Sequence, residues 1–235
     1  RHVPFEIHCS ALRDAQGTPL EIVAVARDIT ARRAAEEYRE TSTRKTLEAL
    51  EQTVRSLAVL SEMRDSYTAE HQRRVAGLAS AVGSSMGMKD YALHGLRLAG
   101  LIHDIGKVRV PAEILTRPGG LSAAEVDIIR MHPSVGYEVL SGIDFPWAIA
   151  EAVYQHHERI DGSGYPRALT AEEIVPEAKI LAVADVVEAI ASDRPYRPAL
   201  GTGAALQEIS SNRGVLYDGE VVDACLQVFS QGYCL

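Results

Sequence analysis

Apolar and polar residues alternate in two short runs near the start of the chain. Residues 4–13 (PFEIHCSALR) and residues 20–27 (LEIVAVAR) both show the alternation of a half-buried β-strand. The residues between them, DAQGTP at 14–19, are typical of a turn. The pattern therefore predicts a β-hairpin. Because two strands alone are only marginally stable, we expect further structure to pack on this hairpin.

A long helix is predicted after the hairpin, since residues 31–62 contain neither glycine nor proline. The apolar positions that repeat there at heptad spacing are Leu47, Leu50, Val54 and Leu57. Two heptads are few, so an amphipathic helix packed on its own domain stays open as an interpretation. We favour a parallel signalling coiled coil, in which residues 44–57 join two copies into a homodimer.

The hairpin, the sequence Asp28-Ile29-Thr30 and the charged helix after it resemble the C-terminal end of a PAS sensory domain with its exit helix. This resemblance implies that residues 1–30 are the last strands of a PAS-like domain and that residues 31–62 are its signalling linker. An unrelated hairpin is the alternative. The chain begins with Arg1, and we expect it to be part of a longer protein.

From residue 63 onward the apolar positions follow the period of helices. A serine–glutamate capping box at 122–125 predicts a helix that ends near His132. Pro176 predicts the start of another, which runs to about Ala191. Sequences that break helices lie at 118–120 (PGG), 161–166 (DGSGYP) and 194–195 (RP). No strand pattern occurs in this part, so residues 63–235 are predicted to form an all-α domain.

Composition narrows the function classes. The 235 residues are 46% hydrophobic and 24% charged, which is typical of a globular protein with a buried core. A formal net charge of −8 argues against nonspecific binding to a nucleic-acid polymer. There is no signal peptide pattern and no apolar run near the ~20 residues of a membrane span. The spacing of the three cysteines, Cys9, Cys225 and Cys234, is not that of a disulfide pair or of a metal site. We therefore expect a cytoplasmic protein with reduced thiols.

Five of the eight histidines lie at the ends or on the inward faces of predicted helices: His71, His103, His132, His156 and His157. Two aspartates accompany them. Asp104 follows His103, and Asp185 stands in the apolar helix KILAVADVVEAIA, where a buried carboxylate needs a partner or a metal. Each residue alone could be a hydrogen-bonded core residue, a cap or half of a salt bridge. Together the seven favour a metal site, whereas His2, His8 and His94 are interpreted as surface or structural residues.

Five imidazoles and two carboxylates exceed the ligands of one tetrahedral ion and suit two ions that share a bridging ligand. Asp104 can be that bridge because it is adjacent to His103. Donors rich in nitrogen disfavour Mg²⁺ and Ca²⁺, which prefer oxygen. The prediction is two divalent transition-metal ions, with iron or manganese preferred and zinc, nickel or cobalt as alternatives.

The same residues resemble a known pattern. His71, His103-Asp104 and Asp185 are similar to the H…HD…D framework of the HD phosphohydrolase superfamily. Five further segments are similar to motifs of the HD-GYP subfamily within this superfamily. They are HDIGKV (103–108), His132, HHE (156–158), DGSGYP (161–166) and SDRPYR (192–197). The resemblance implies an all-α phosphodiesterase that opens the bacterial messenger cyclic di-GMP to pGpG and, in some members, further to GMP.

The resemblance also implies the ligand sets. One ion would be held by His71, His103, Asp104 and Asp185, and the other by Asp104, His132, His156 and His157. Some HD-GYP members bind a third ion through a glutamate four residues before the first histidine. Tyr67 occupies that position here. We therefore expect two ions and hydrolysis that stops mainly at pGpG.

Four further residues are assigned to the substrate. Lys107 is expected at the scissile phosphate, where it stabilises charge or protonates the leaving oxygen. Arg194 and Arg197 supply cations for a phosphate or a guanine edge. Tyr165 lies in the DGSGYP loop and can donate to a phosphate, although that loop could equally dock a partner protein. A surface lysine and salt-bridged or helix-end arginines are the alternative interpretations.

Two other functions stay open at this point. One is a non-catalytic receptor that binds a cyclic dinucleotide and passes the signal on. The other is a single-metal HD phosphohydrolase that acts on nucleoside phosphates, which would leave His132, His156 and His157 without a role.

Overall fold

A computed structural model describes residues 3–62, 68–117, 119–193 and 198–235 of the chain. The chain divides into two compact units, Arg1–Gln52 and Thr53–Leu235. The first helix, α1, spans Thr30–Glu62 and runs from one unit into the other.

The first unit contains the predicted hairpin. Strands β1 (Phe5–Arg13) and β2 (Pro19–Asp28) pair antiparallel. The Asp14 side chain closes the turn by accepting from the backbone N–H of Thr18 at 2.8 Å. The start of α1 is fixed in the same way, because Asp28 accepts from the backbone N–H of Thr30 at 2.8 Å. The hairpin and the helix after it are therefore confirmed.

The second unit is helical, as predicted. Its α-helices are α2 (Thr68–Ser85), α3 (Asp90–Ile102), α4 (Ala112–Leu115), α5 (Ala123–Arg130), α6 (His132–Leu140), α7 (Ile149–Gln155), α8 (Pro176–Ala191), α9 (Gly201–Ser211) and α10 (Gly219–Ser230), with a 3₁₀ turn at Ile105–Arg109. Within the described residues, extended pairing in this unit is limited to two isolated bridges. None of the described helices has the length and apolar content to cross a membrane.

Helices α2 and α3 pack against each other in the core that carries the site. The predicted inward stripe of α2 is fully buried at Val75, Leu78 and Val82. Gly100 of α3 lies directly on Ala76, so an added Cβ would be 2.8 Å from the Ala76 Cα. Because real Cβ atoms do not approach so closely, only glycine allows this crossing. The crossing fixes the end of α3 beside α2.

One predicted boundary is wrong. The helix that was expected to end near His132 ends at Arg130 instead, and His132 begins α6. Pro133 in the first turn of α6 explains the break, because proline has no N–H to continue the preceding helix. The capping box at the start of α5 is confirmed by reciprocal hydrogen bonds between Ser122 and Glu125.

The turn after α3 packs tightly on α6. A Cβ on Gly106 would lie only 1.9 Å from the carbonyl oxygen of His132. Glycine at this position therefore lets the 3₁₀ turn reach α6. The result is that Asp104, just before the turn, lies next to His132.

Candidate metal centre

The seven predicted metal ligands come together inside the second unit. They are contributed by α2 (His71), the end of α3 (His103, Asp104), the start of α6 (His132), the end of α7 (His156, His157) and α8 (Asp185). Six of the seven are buried, and His157 is partly exposed. The sequence interpretation of inward histidines and a buried aspartate is therefore matched by their positions.

Three of the histidines are oriented by the ends of their helices. The Nδ1 atoms of His103, His132 and His156 lie 2.8, 2.7 and 2.6 Å from the carbonyl oxygen three residues earlier. A carbonyl only accepts, so each Nδ1 carries the proton. Each Nε2 then presents a lone pair to the centre of the cluster, which is the arrangement of a metal-binding imidazole.

The first group of donors surrounds Asp185. Its Oδ1 lies 3.3 Å from His71 Nε2 and 3.9 Å from His103 Nε2. All three donor atoms lie within 4.8 Å of one another. Two ligands at about 2.0–2.2 Å from a shared ion are at most about 4.4 Å apart. The separations of 3.3 and 3.9 Å are within this limit. This group can therefore hold one divalent ion.

The second group consists of His132, His156 and His157, whose donor atoms also lie within 4.8 Å of one another. The Nε2 atoms of His132 and His156 are 3.3 Å apart. Two neutral imidazole lone pairs that face each other at this distance repel unless a proton or a cation lies between them. This group can hold a second ion.

Asp104 lies between the two groups, and each of its oxygens faces a different one. Oδ1 is 3.3 Å from His132 Nε2, whereas Oδ2 is 3.5 Å from His103 Nε2 and 3.8 Å from His71 Nε2. A carboxylate with this orientation can contribute one oxygen to each of two ions. The geometry agrees with the predicted bridging role.

The surroundings of one buried atom, His103 Nε2, indicate whether a metal ion fits the cluster. Among the described residues, His103 Nε2 has no hydrogen-bond partner, although the side chain is buried. Its Nδ1 already carries the proton, and the nearby carboxylates offer only acceptors. A buried lone pair left without a donor is unfavourable. A metal ion would satisfy it, so the donor set fits a metal.

The pKa values of the second group suit metal binding. Burial lowers the pKa of His132 to about 4 and that of His156 to about 3. Burial alone would raise the pKa of Asp104, but Lys107 and the surrounding histidines hold it well below its usual range. At neutral pH His132 and His156 are therefore neutral and Asp104 is ionised, which is the state that binds a divalent cation.

His71 differs because it has two carboxylate partners. Burial opposes its charged form, but hydrogen bonds to Asp185 and Glu188 outweigh burial and raise its pKa to about 9. The metal-free protein therefore holds a proton on His71 at pH 7.

Glu188 is a residue that the sequence analysis missed. It is fully buried, accepts from His71 Nδ1, and accepts from Arg74 Nε at 2.6 Å. It therefore fixes the ring of His71 with Nε2 toward Asp185. The sequence does contain a pattern that points to Glu188. This residue follows Asp185 by three positions in the same apolar helix and therefore shares its face.

The DGSGYP loop (residues 161–166) lies on the HHE segment (residues 156–158). A Cβ on Gly164 would be 2.3 Å from the backbone nitrogen of Arg159, so glycine is needed for this contact. The buried Glu158 carboxylate accepts from the backbone N–H groups of Arg167 at 2.7 Å and Leu169 at 3.0 Å. Glu158, which the sequence analysis named within the HHE motif without a role of its own, therefore holds the loop beside the histidines.

Two of the predicted substrate-binding residues lie at the edge of the cluster. Lys107 Nζ donates to Asp104 Oδ2 at 2.6 Å. The ring of Tyr165 stacks on His157 with centroids 4.8 Å apart and an angle of 24° between the planes. Burial and the nearby carboxylates raise the pKa of Tyr165, which keeps its hydroxyl protonated. Arg194, Arg197 and Tyr67 lie outside the described residues.

The family model of the HD domain matches residues 55–221. The chain belongs to the HD domain family. The match includes all seven candidate ligands, and the predicted membership in the HD superfamily is confirmed. The PAS-like assignment of residues 1–30 stays a prediction.

Two curated relatives are similar in sequence to about three quarters of this chain. The chain is 39% identical over 178 residues to the cyclic di-GMP phosphodiesterase response regulator RpfG of Xanthomonas campestris pv. campestris, covering 75% of this chain and 47% of that protein. It is 41% identical over 174 residues to a cyclic di-GMP phosphodiesterase of Thermotoga maritima, covering 73% of this chain and 47% of that protein. The chain thus spans about half the length of these curated relatives.

A solved structure shows the shared fold. A crystal structure of a cyclic GMP-AMP-specific phosphodiesterase of Vibrio cholerae matches with a TM-score of 0.59 and 20% identity. The match covers 78% of this chain and 49% of that chain. It confirms the predicted all-α class of the second unit.

Replacing Glu188 tests the orientation of His71. We expect Glu188→Ala to weaken metal binding about 10- to 100-fold, because the His71 ring loses the partner of its Nδ1. Metal titration of the purified variant measures this loss, and a thermal melt reports whether it is folded. Glu70→Ala is the matched control, because exposed Glu70 contacts the other side of Arg74 at 3.3 Å. Unchanged affinity in Glu188→Ala would contradict the assignment.

The proton on His71 predicts a pH dependence of metal binding. A metal ion at His71 must displace that proton, so affinity should rise about tenfold per pH unit between pH 6 and pH 8, below the His71 pKa of about 9. An ion at His132 and His156 displaces no proton in this range, because both are already neutral. Manganese titrations at pH 6, 7 and 8 measure the effect. Affinity independent of pH would rule out a charged His71.

Proposed function

We propose that the chain is a metal-dependent phosphodiesterase that hydrolyses cyclic di-GMP to pGpG. The observation that carries the proposal is the position of Asp104, with one oxygen toward each of two histidine groups. Such a two-ion centre is suited to in-line displacement at a phosphodiester. The substrate is taken from relatives of 39% and 41% identity whose names specify cyclic di-GMP.

The proposed ligand sets are those predicted from the sequence. One ion would be held by His71, His103, Asp104 and Asp185, and the other by Asp104, His132, His156 and His157. Iron or manganese is preferred, because imidazole and carboxylate donors are mixed, and zinc, nickel or cobalt would also suit them. When bound, the ions supply Lewis-acid stabilisation of the phosphate and lower the pKa of water.

The chain's own side chains bind and orient the substrate. Lys107 extends along the edge of the cluster at Asp104 Oδ2, where a phosphate oxygen can take its charge. Tyr165 is protonated and stacked on His157, so its hydroxyl can donate to a phosphate. Arg194 and Arg197 are proposed to contact a phosphate or a guanine edge, from their place in the SDRPYR motif. Tyr67 occupies the position of the glutamate that binds a third ion in some HD-GYP members. This supports the proposal that the site holds two ions and that conversion of pGpG to GMP is slow.

The wider assignments are also proposals. They comprise control by an upstream PAS-like sensor, a homodimer through residues 44–57, a protein partner at the DGSGYP loop and a cytoplasmic location. The charged helix after the hairpin supports the first. Leu47 and Leu50 at heptad spacing support the second, whereas Val54 is buried in the core of the second unit.

Two alternatives make different use of the same residues. A receptor would bind the cyclic dinucleotide without hydrolysing it, and a single-metal enzyme would act on nucleoside phosphates. The closely placed His132, His156 and His157 favour a second ion over the single-metal alternative.

The decisive assay is incubation of manganese- or iron-loaded protein with cyclic di-GMP, followed by chromatography of the products. We expect pGpG from the wild type and no product from Asp104→Ala or His103→Ala, because both lose metal. His94→Ala is the matched histidine control, since His94 lies beside Trp147 with centroids 5.1 Å apart and outside the cluster. Recovery of intact cyclic di-GMP from wild type would favour a receptor. Cleavage of nucleoside phosphates alone would favour the single-metal enzyme.

Lys107→Ala separates substrate chemistry from metal binding. We expect the metals to remain while kcat falls by about 10²- to 10³-fold, as for other single groups that stabilise charge in the transition state. Steady-state kinetics and metal analysis on the same preparation measure both quantities. Loss of metal in this variant would instead make Lys107 a structural partner of Asp104.

A further inference from the structure

A second cation besides Lys107 lies near the cluster. Arg130 is the last residue of α5 and precedes His132 by two positions. Its guanidinium carbon is 5.4 Å from the centroid of the Tyr165 ring. Since that ring stacks on His157, Arg130 belongs to the surroundings of the second histidine group.

The contacts of Arg130 leave its guanidinium at the surface of the site. Its side chain is 57% exposed, and its nearest carboxylate is Asp127 at 4.0 Å on the same helix. An ion pair of this length between exposed groups contributes little. The ring of Tyr165, which itself stacks on His157, makes a cation–π contact with the guanidinium.

The proposed substrate carries two phosphodiester groups on one ring, and both are negatively charged. When one of them reacts at the centre, the other must lie some distance away. A cation besides Lys107 would stabilise that second charge, in a chain whose net charge is −8. Lys107 contacts the Asp104 oxygen that faces His71 and His103. Arg130 is instead linked through the Tyr165 ring to His157, which belongs to the second histidine group.

We propose that Arg130 binds the second, non-reacting phosphate of the cyclic dinucleotide, with Tyr165 supporting its guanidinium. This inference rests on the proposed function. A guanidinium suits the role because its planar fork pairs with two phosphate oxygens at once. Arg130 therefore makes the site selective for a substrate with two phosphates over one with a single phosphodiester.

Two substrates separate this role from that of the centre. Bis(p-nitrophenyl) phosphate has one phosphodiester and reports on the centre alone. For Arg130→Ala we expect the KM for cyclic di-GMP to rise about tenfold or more. Its kcat, its metal content and its cleavage of bis(p-nitrophenyl) phosphate should match the wild type. Arg130→Lys should have a KM between those of Arg130→Ala and the wild type. Arg97 is an exposed arginine on α3, and Arg97→Ala should leave the KM, the kcat and the metal content unchanged.

Two results would overturn the proposal. An unchanged KM for cyclic di-GMP would show that Arg130 does not contact the substrate. Equal losses on both substrates, with loss of metal, would show that Arg130 only supports Tyr165 and His157. If the wild type does not hydrolyse cyclic di-GMP, the proposed function fails. Calorimetric binding of the same ligand then decides the inference, with about tenfold weaker affinity expected for Arg130→Ala.

Discussion

The site depends on a single buried carboxylate, Asp104, that is shared between two groups of imidazoles. An ionised carboxylate is costly to bury, so cations must surround it. Lys107 donates to one oxygen at 2.6 Å. The other oxygen faces the neutral His132 ring at 3.3 Å, where a bound metal ion would supply the second positive charge. The helices are arranged to bring these partners together. Gly106 in particular lets the turn after Asp104 press on the first residue of α6.

The ends of the helices determine how the imidazoles are presented. His103, His132 and His156 lie at helix ends, where each Nδ1 donates to the carbonyl oxygen three residues earlier. His71 lies within α2, where backbone carbonyls are used by the helix itself. It therefore needs a partner from another element, and Glu188 of α8 supplies it. Asp185 and Glu188 together outweigh burial and raise the pKa of His71 to about 9, whereas burial lowers the pKa values of His132 and His156.

The sequence was sufficient to predict the hairpin, the main helices and the seven residues that come together in the cluster. Periodicity marks which side chains point inward, and a carboxylate in an apolar helix demands a partner. Glu188 was missed because its importance comes from His71, which is 117 positions away. Arg130 was missed because an exposed arginine at a helix end has no distinctive pattern. Its contact with Tyr165 exists only in the folded chain.

Anomalous diffraction from crystals of the manganese-loaded protein would test the shared role of Asp104 most directly. We expect two anomalous peaks per chain, about 3.5–4 Å apart, as in other two-metal centres. Each peak should contact a different oxygen of Asp104, with His71 beside one and His132 beside the other. A single peak, or two peaks of which only one contacts Asp104, would contradict the bridged centre.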